Sequence, residues 1–277
     1  MDFPFIGGRV KTDKLTENIC RNLNLKLDVK ETSSIKKAWA NIEEPLNNGK
    51  AVGLKLDCYH LDYFTSKIHF AGHYATIYGY DNEYAYLNDT DQQGCQVKAT
   101  LNNLELARNE KGPMSSRNLS FTIDQTEKLP EIKSTIRTAI YNNTIDFLNP
   151  PIKNLGYKGI EKTASEIKKW YKESKNVKDE FTTSAMLMER AGTGGALFRN
   201  LYRDFLKEAF ELTGEEYIKQ GYKEYKEHAK KWTDISNLFV KTGDTQDDIY
   251  LNKASELFNK LSKEEKQSME KLQKASA

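Results

Sequence analysis

An α+β domain followed by an all-helical domain is the fold class this sequence predicts, and three observations carry it. Strand-like runs rich in Tyr, Ile, Thr and Val crowd residues 51–123, separated by turn formers. They follow two helix-like stretches and do not alternate with helices, which argues against a βαβ repeat. From about Glu131 onward, charged residues interleave with Ile, Leu, Phe, Tyr and Trp at three- and four-residue spacing, the pattern of packed amphipathic helices. The expected division is a mixed domain with an antiparallel sheet over 1–124 and a helical domain over 131–277.

The elements follow in order. Leu15, Ile19 and Leu23 recur every four residues and predict a helix over 14–23. Thr32 or Ser33 is placed to cap a second helix through Ile35, Trp39 and Ile42 to about Leu46. Asn47-Asn48-Gly49 stops it, and 51–57 reads as a buried strand. Residues 74–80, a turn at Asp81-Asn82-Glu83, and residues 84–88 form a hairpin. Gln96 to Ala99 adds a short strand, Thr100 caps a helix over 101–109, and 117–123 is the last strand. In the second half, helices are expected over 131–148, 160–173, 196–212, 215–234 and 246–262, and the polar tail 263–277 is expected to fray. Asn149-Pro150-Pro151 and Gly192-Thr193-Gly194-Gly195 interrupt them. The glycine run lacks the lysine-serine of a phosphate loop and no strand precedes it, so it reads as a helix–helix connection. Phe198, Tyr202, Phe205, Phe210 and Trp232 read as packing between helices.

Charge is nearly balanced, 42 basic against 40 acidic residues for a net +2, so nothing calls for nucleic acid or an anionic membrane as partner. Three cysteines, at 20, 58 and 95, are an odd number without framework spacing, which fits a reducing compartment. No apolar run approaches the ~18 residues of a membrane helix. The first residues lack a signal-peptide layout, and a cytoplasmic protein is expected.

The hairpin holds the strongest chemical signal. Pairing about a centre near Asp81 sets Tyr78 opposite Tyr84 and His73 opposite Asp89, and opposed Cβ atoms lie roughly 4.5–5.5 Å apart. A carboxylate that orients an imidazole is two-thirds of a nucleophilic triad, with His73 as general base and Asp89 as its orienting acid. The bland alternative is a half-buried histidine with one hydrogen bond. Cys58 is the thiol nearest in sequence, although it sits at a strand end and not at a helix N-terminus, where thiolate is stabilised. Cys20 lies beside an apolar stripe and reads as core, and Cys95 lies in a loop. Asp57, Tyr59, His60 and Tyr63 follow the buried strand and are expected to bind substrate, although loop polarity explains them equally well. His60, His69, His73, Asp57 and Asp89 also raise a metal reading. His69 and His73, four apart, converge on zinc only in a helix. Phe70-Ala71-Gly72 leads into a strand instead, so neither a metal nor a cofactor is expected.

The run from Pro45 to Asp57, then Tyr59-His60-Leu61-Asp62-Tyr63, His69, His73 to Asp81, Asn88-Asp89 and Leu104 to Arg108, resembles the N-terminal domain of the butirosin biosynthesis protein H family. Gly194 to Leu206 and Trp232 are similar to the helical domain that follows in that family. The resemblance implies a papain-like, C39-peptidase-type fold. It also implies a thiol acyltransferase or amidase that moves an acyl group from a carrier-protein thioester to an amine in secondary metabolism. An acyl carrier protein and a small amine substrate would be its partners. His73 and Asp89 match the family's base and orienting acid. The family's cysteine helix lies upstream of the segment matched by Phe3 to Arg9, where this sequence begins. The expectation is therefore an incomplete first domain, with a catalytically silent papain-like binding protein as the alternative. A homo-oligomer could cover the surface such a segment would leave bare.

Overall fold

The computed structural model describes residues 6–7, 12–65, 67–112, 115–190 and 193–276. The chain forms two compact units, one of residues 11–129 and one of residues 130–277 joined by 1–10. The first contains α1 (Asp13–Asn22), β1 (Lys26–Lys30), α2 (Ile35–Asn47), β2 (Val52–Leu56), a single 3-10 turn at Cys58–His60, β3 (His73–Tyr80), β4 (Tyr84–Asn88), β5 (Gln96–Thr100), α3 (Leu101–Asn109) and β6 (Ser120–Asp124). The six strands make one antiparallel sheet in the order β1-β6-β2-β3-β4-β5. The α+β expectation is met. β1 was not foreseen, because KLDVK shows only a half-buried alternation at a sheet edge.

One sheet face is apolar because alternate residues point the same way. Val52, Leu54 and Leu56 on β2, Ala75 and Ile77 on β3, Ala85 and Leu87 on β4, and Ala99 on β5 pack with Ile42, Leu61, Leu104 and Ala107. Burying each Leu or Ile contributes about 1.5–3 kcal/mol. On the other face Gly53 pairs with Phe121, whose ring would lie 2.1 Å from a Cβ at that position. The cap of α2 is Ser34, which accepts from the Lys37 N–H at 3.3 Å, not Thr32 or Ser33. Thr32 serves one step earlier, accepting from the Ser34 N–H at 3.1 Å. Thr100 caps α3 as expected, at 3.2 Å from the Asn103 N–H.

The second unit contains α4 (Ile132–Leu148), α5 (Gly156–Glu173), α6 (Val177–Arg190), α7 (Ala196–Thr213), α8 (Glu216–Thr245) and α9 (Ile249–Ser276). α8 packs against α6, α7 and α9, and α9 also packs against α4 and α5. α6 was missed from sequence, and α8 runs well past the expected end at 234. The tail expected to fray is instead the second half of α9, with Glu265, Ser268, Met269 and Leu272 buried. Ala277 lies outside the described residues. The glycine run, of which Gly192 lies outside the described residues, joins α6 to α7 under close packing. A Cβ on Gly195 would meet the Met188 carbonyl oxygen at 2.4 Å, and the Gly194 N–H donates to the Ile6 carbonyl at 2.6 Å. Of the segment Phe3 to Arg9, only Ile6 and Gly7 are described, and Ile6 joins the helical core. Among the described residues, no helix is long and apolar enough to cross a membrane.

Candidate functional site

The hairpin β3–β4 forms in a different register from the one expected. Thr76 faces Asn88 and Ile77 faces Leu87, whereas Gly79 faces Tyr86 and Tyr80 faces Ala85. Tyr78 is thus the extra residue of an irregular step, and the Asp81 N–H, not Tyr78, meets the Tyr84 carbonyl, at 2.9 Å. At the far end the pairing is displaced by two residues, which places Asp89 diagonal to His73. An even displacement keeps both side chains on one face. The imidazole and carboxylate still meet, with His73 Nε2 2.7 Å from Asp89 Oδ2.

Three donors converge on that carboxylate. Asp89 Oδ2 also accepts from the Tyr63 hydroxyl at 2.7 Å, and Oδ1 accepts from the Thr90 N–H at 2.6 Å. The Asp89 side chain is fully buried and that of His73 is 15% exposed. Burial works against ionisation of Asp89, but the bonds from His73, Tyr63 and Thr90 outweigh it and hold the carboxyl below its ordinary range. Burial, then the bond to Asp89, pushes the Tyr63 hydroxyl far up, so it stays a donor. An ionised Asp89 only accepts, so the proton between the pair sits on His73 Nε2 and Nδ1 is left as the ring's acceptor. The Phe64 ring meets the imidazole edge-on at 5.1 Å and fixes its plane.

Burial raises the two buried thiols, Cys58 and Cys20. Cys58 opens the 3-10 turn, buried, with its N–H on the Phe70 carbonyl. Burial, followed by the charges of Asp57 and Asp89, pushes its thiol up to about 12, so it is protonated at neutral pH. Cys20 is buried on α1, and burial raises its thiol too. Cys95 is exposed, its sulfur 3.4 Å from Asp91 Oδ1.

The expected substrate-binding residues split into two groups. Tyr63 belongs to Asp89. Asp57 directly follows β2 and caps the 3-10 turn, its Oδ1 accepting from the Tyr59 N–H at 2.8 Å and lying 3.4 Å from His69 Nδ1. His60 Nε2 is 2.7 Å from Glu110 Oε2. The sequence had grouped His69 with His73; folded, His69 joins Asp57 and His60, and His73 joins Asp89. Glu110 gave no local signal, since it reaches His60 across 50 residues only because α3 packs on the 3-10 turn.

Two family models match the chain. One described as "Butirosin biosynthesis protein H, N-terminal" matches residues 1–90, and one described as "Domain of unknown function (DUF4872)" matches residues 102–272. The chain belongs to the butirosin protein H-like family. A comparison with curated proteins finds no match. The two models meet within the α/β unit of this butirosin protein H-like chain, so α3 and β6 fall in the stretch of the second model while forming part of the first compact unit.

The helical unit of the butirosin protein H-like chain holds a polar network that sequence reasoning missed. Glu265, fully buried on α9, accepts from Arg199 Nε at 3.0 Å, Arg199 Nη2 at 2.9 Å and Trp232 Nε1 at 2.7 Å. The guanidinium lies 4.4 Å from the Trp232 ring centre. This network forms one wall of a cavity of about 740 Å³, lined also by Trp170, Phe198, Tyr202 and Phe205. The aromatic side chains read from sequence as interhelical packing therefore partly line a hollow.

Proposed function

We propose that the α/β unit is the catalytic half of a thiol acyltransferase or amidase of the butirosin protein H type. It would move an acyl group from a carrier-protein thioester to a small amine. The observation that carries this reading is the 2.7 Å bond between His73 Nε2 and a fully buried, ionised Asp89. In this role His73 Nδ1 takes the proton of the attacking thiol as sulfur adds to the thioester carbonyl, and returns it to the departing carrier thiol. The amine then attacks the acyl-enzyme, with His73 as base again. Tyr63 locks the carboxylate that locks the imidazole. Cys58, close enough to feel the Asp89 charge, is the thiol the proposal assigns, and its protonated resting state makes a base obligatory. Tyr59, Asp57 and His60 are proposed to face the substrate.

A second reading, a papain-like binding protein without thiol chemistry, draws support from the Cys58 thiol being held near 12. The two part on one experiment. Turnover of a small-molecule acyl thioester with an amine acceptor is measured for the wild type, His73→Ala and Cys58→Ser. Loss of turnover in both variants, with unchanged far-UV circular dichroism, supports the acyltransferase. Turnover in the wild type that survives His73→Ala refutes the assignment of the base. Thioester bound without turnover favours the binding protein.

A further inference from the structure

A second polar group in the α/β unit is not used by the His73–Asp89 pair. One ligand atom each from Asp57, His60 and His69 lies within 4.8 Å of the others. Asp57 Oδ1 and His69 Nδ1 are 3.4 Å apart, and two donors about 2.0–2.1 Å from one tetrahedral ion are separated by roughly that distance. The Asp57 carboxylate is 2% exposed, and among the described residues no lysine or arginine pairs with it. Buried carboxylates are normally paired or bound to metal.

The ligands are also pre-positioned. The Asp57 backbone N–H is tied to the Ala107 carbonyl at 2.9 Å, fixing its side chain at the end of β2. The Tyr59 ring stacks on His69 at 4.0 Å and 12°, which sets the plane of an otherwise exposed imidazole. His60 Nε2 lies 2.7 Å from Glu110 Oε2 and donates to that carboxylate oxygen. That leaves Nδ1 free to ligate, the arrangement in which an outer carboxylate orients a metal-bound histidine.

We propose that Asp57, His60 and His69 bind one divalent transition-metal ion, zinc by the match of two imidazoles and a carboxylate, with Glu110 as the outer carboxylate. Three protein ligands leave a fourth position for water or a substrate oxygen. The site is independent of the acyl-transfer reading, because the ion is held whether or not His73 acts as a base. Asp57 and His60 then meet substrate through the ion.

The test is titration of the whole 277-residue chain, stripped with chelator, with Co²⁺, followed by displacement with Zn²⁺. One Co²⁺ per chain with a tetrahedral ligand-field spectrum is expected. His69→Ala, an exposed and fold-tolerant change, should abolish that spectrum, and Glu110→Gln should weaken affinity about 10–100-fold. His73→Ala and Cys95→Ser should leave both unchanged. Circular dichroism checks that each variant is folded. Absence of stoichiometric Co²⁺ in the wild type would overturn the proposal and leave two histidine–carboxylate pairs. So would binding that survives His69→Ala, or that is lost in His73→Ala or Cys95→Ser.

Discussion

Replacing Glu265 by Gln in the helical unit removes one charge from a closed set of bonds while keeping the side chain's shape. Arg199 contributes two bonds to Glu265 and Trp232 one, all between 2.7 and 3.0 Å. Hydrogen bonds to charged groups contribute about 1.5–3 kcal/mol each. The larger effect is the Arg199 charge, left in the protein without its counter-ion, so that losing one partner of a buried pair costs about 3–5 kcal/mol. For a unit of roughly 150 residues, each kcal/mol lowers Tm by about 2–4 °C, so the helical unit should melt roughly 6–20 °C earlier. Thermal melts of the full chain, followed by far-UV circular dichroism, read this directly. The double variant Arg199→Met with Glu265→Leu removes both charges and their desolvation cost but leaves the buried Trp232 N–H without its acceptor, so it should recover only to within about 1–3 kcal/mol of the wild type. A loss below about 1 kcal/mol for Glu265→Gln would refute the reasoning. So would a double variant as unstable as the single one.

Asp89 is held below its ordinary range in the folded state, so its contribution is fully present above the unfolded carboxyl pKa near 4 and is lost as pH falls through the folded value. Asp89→Asn should therefore flatten the acid limb of stability, read as denaturant midpoints at about pH 6, 4 and 3; parallel acid losses in both proteins would exclude this role. Gly53→Val pushes a side chain into the Phe121 ring and should destabilise by about 1–3 kcal/mol, with Phe121→Ala partly relieving it in the double variant. Iodoacetamide at neutral pH should label exposed Cys95 well before Cys20 or Cys58, by peptide mass mapping. A Cys58 that labels first and slows in His73→Ala would instead mark an activated thiol.

The pair at the heart of the site was legible because a period of two is robust to the error made. The turn centre was misplaced by one irregular step at Tyr78, yet the displacement near Asp89 was even and preserved the shared face. Tyr63 and Glu110 were not legible in their roles, because each is defined by a partner 26 or 50 residues away. The end of α9 misled for a related reason. Its buried stripe runs through Glu265 and Ser268, polar residues that look solvated until Arg199, Trp232 and His228 supply partners. β1 was missed because its alternation is only two apolar residues long, Leu27 and Val29, at a sheet edge where neither is fully buried.

The strand order has a consequence for synthesis. Among the described residues β1 pairs only with β6, Lys26 against Asp124, so Lys26 must wait for 98 residues to be made before its partner exists. At roughly 5–20 residues per second, that leaves β1 and one edge of β2 open for about 5–20 s on the ribosome. A fragment ending at residue 90, the limit of the first family model, would lack β5 and β6 altogether. Its β2 edge would then stay unpaired and free to recruit strands from other chains. The unit that carries His73 and Asp89 can therefore be expressed intact only if the stretch through Asp124 is kept with it.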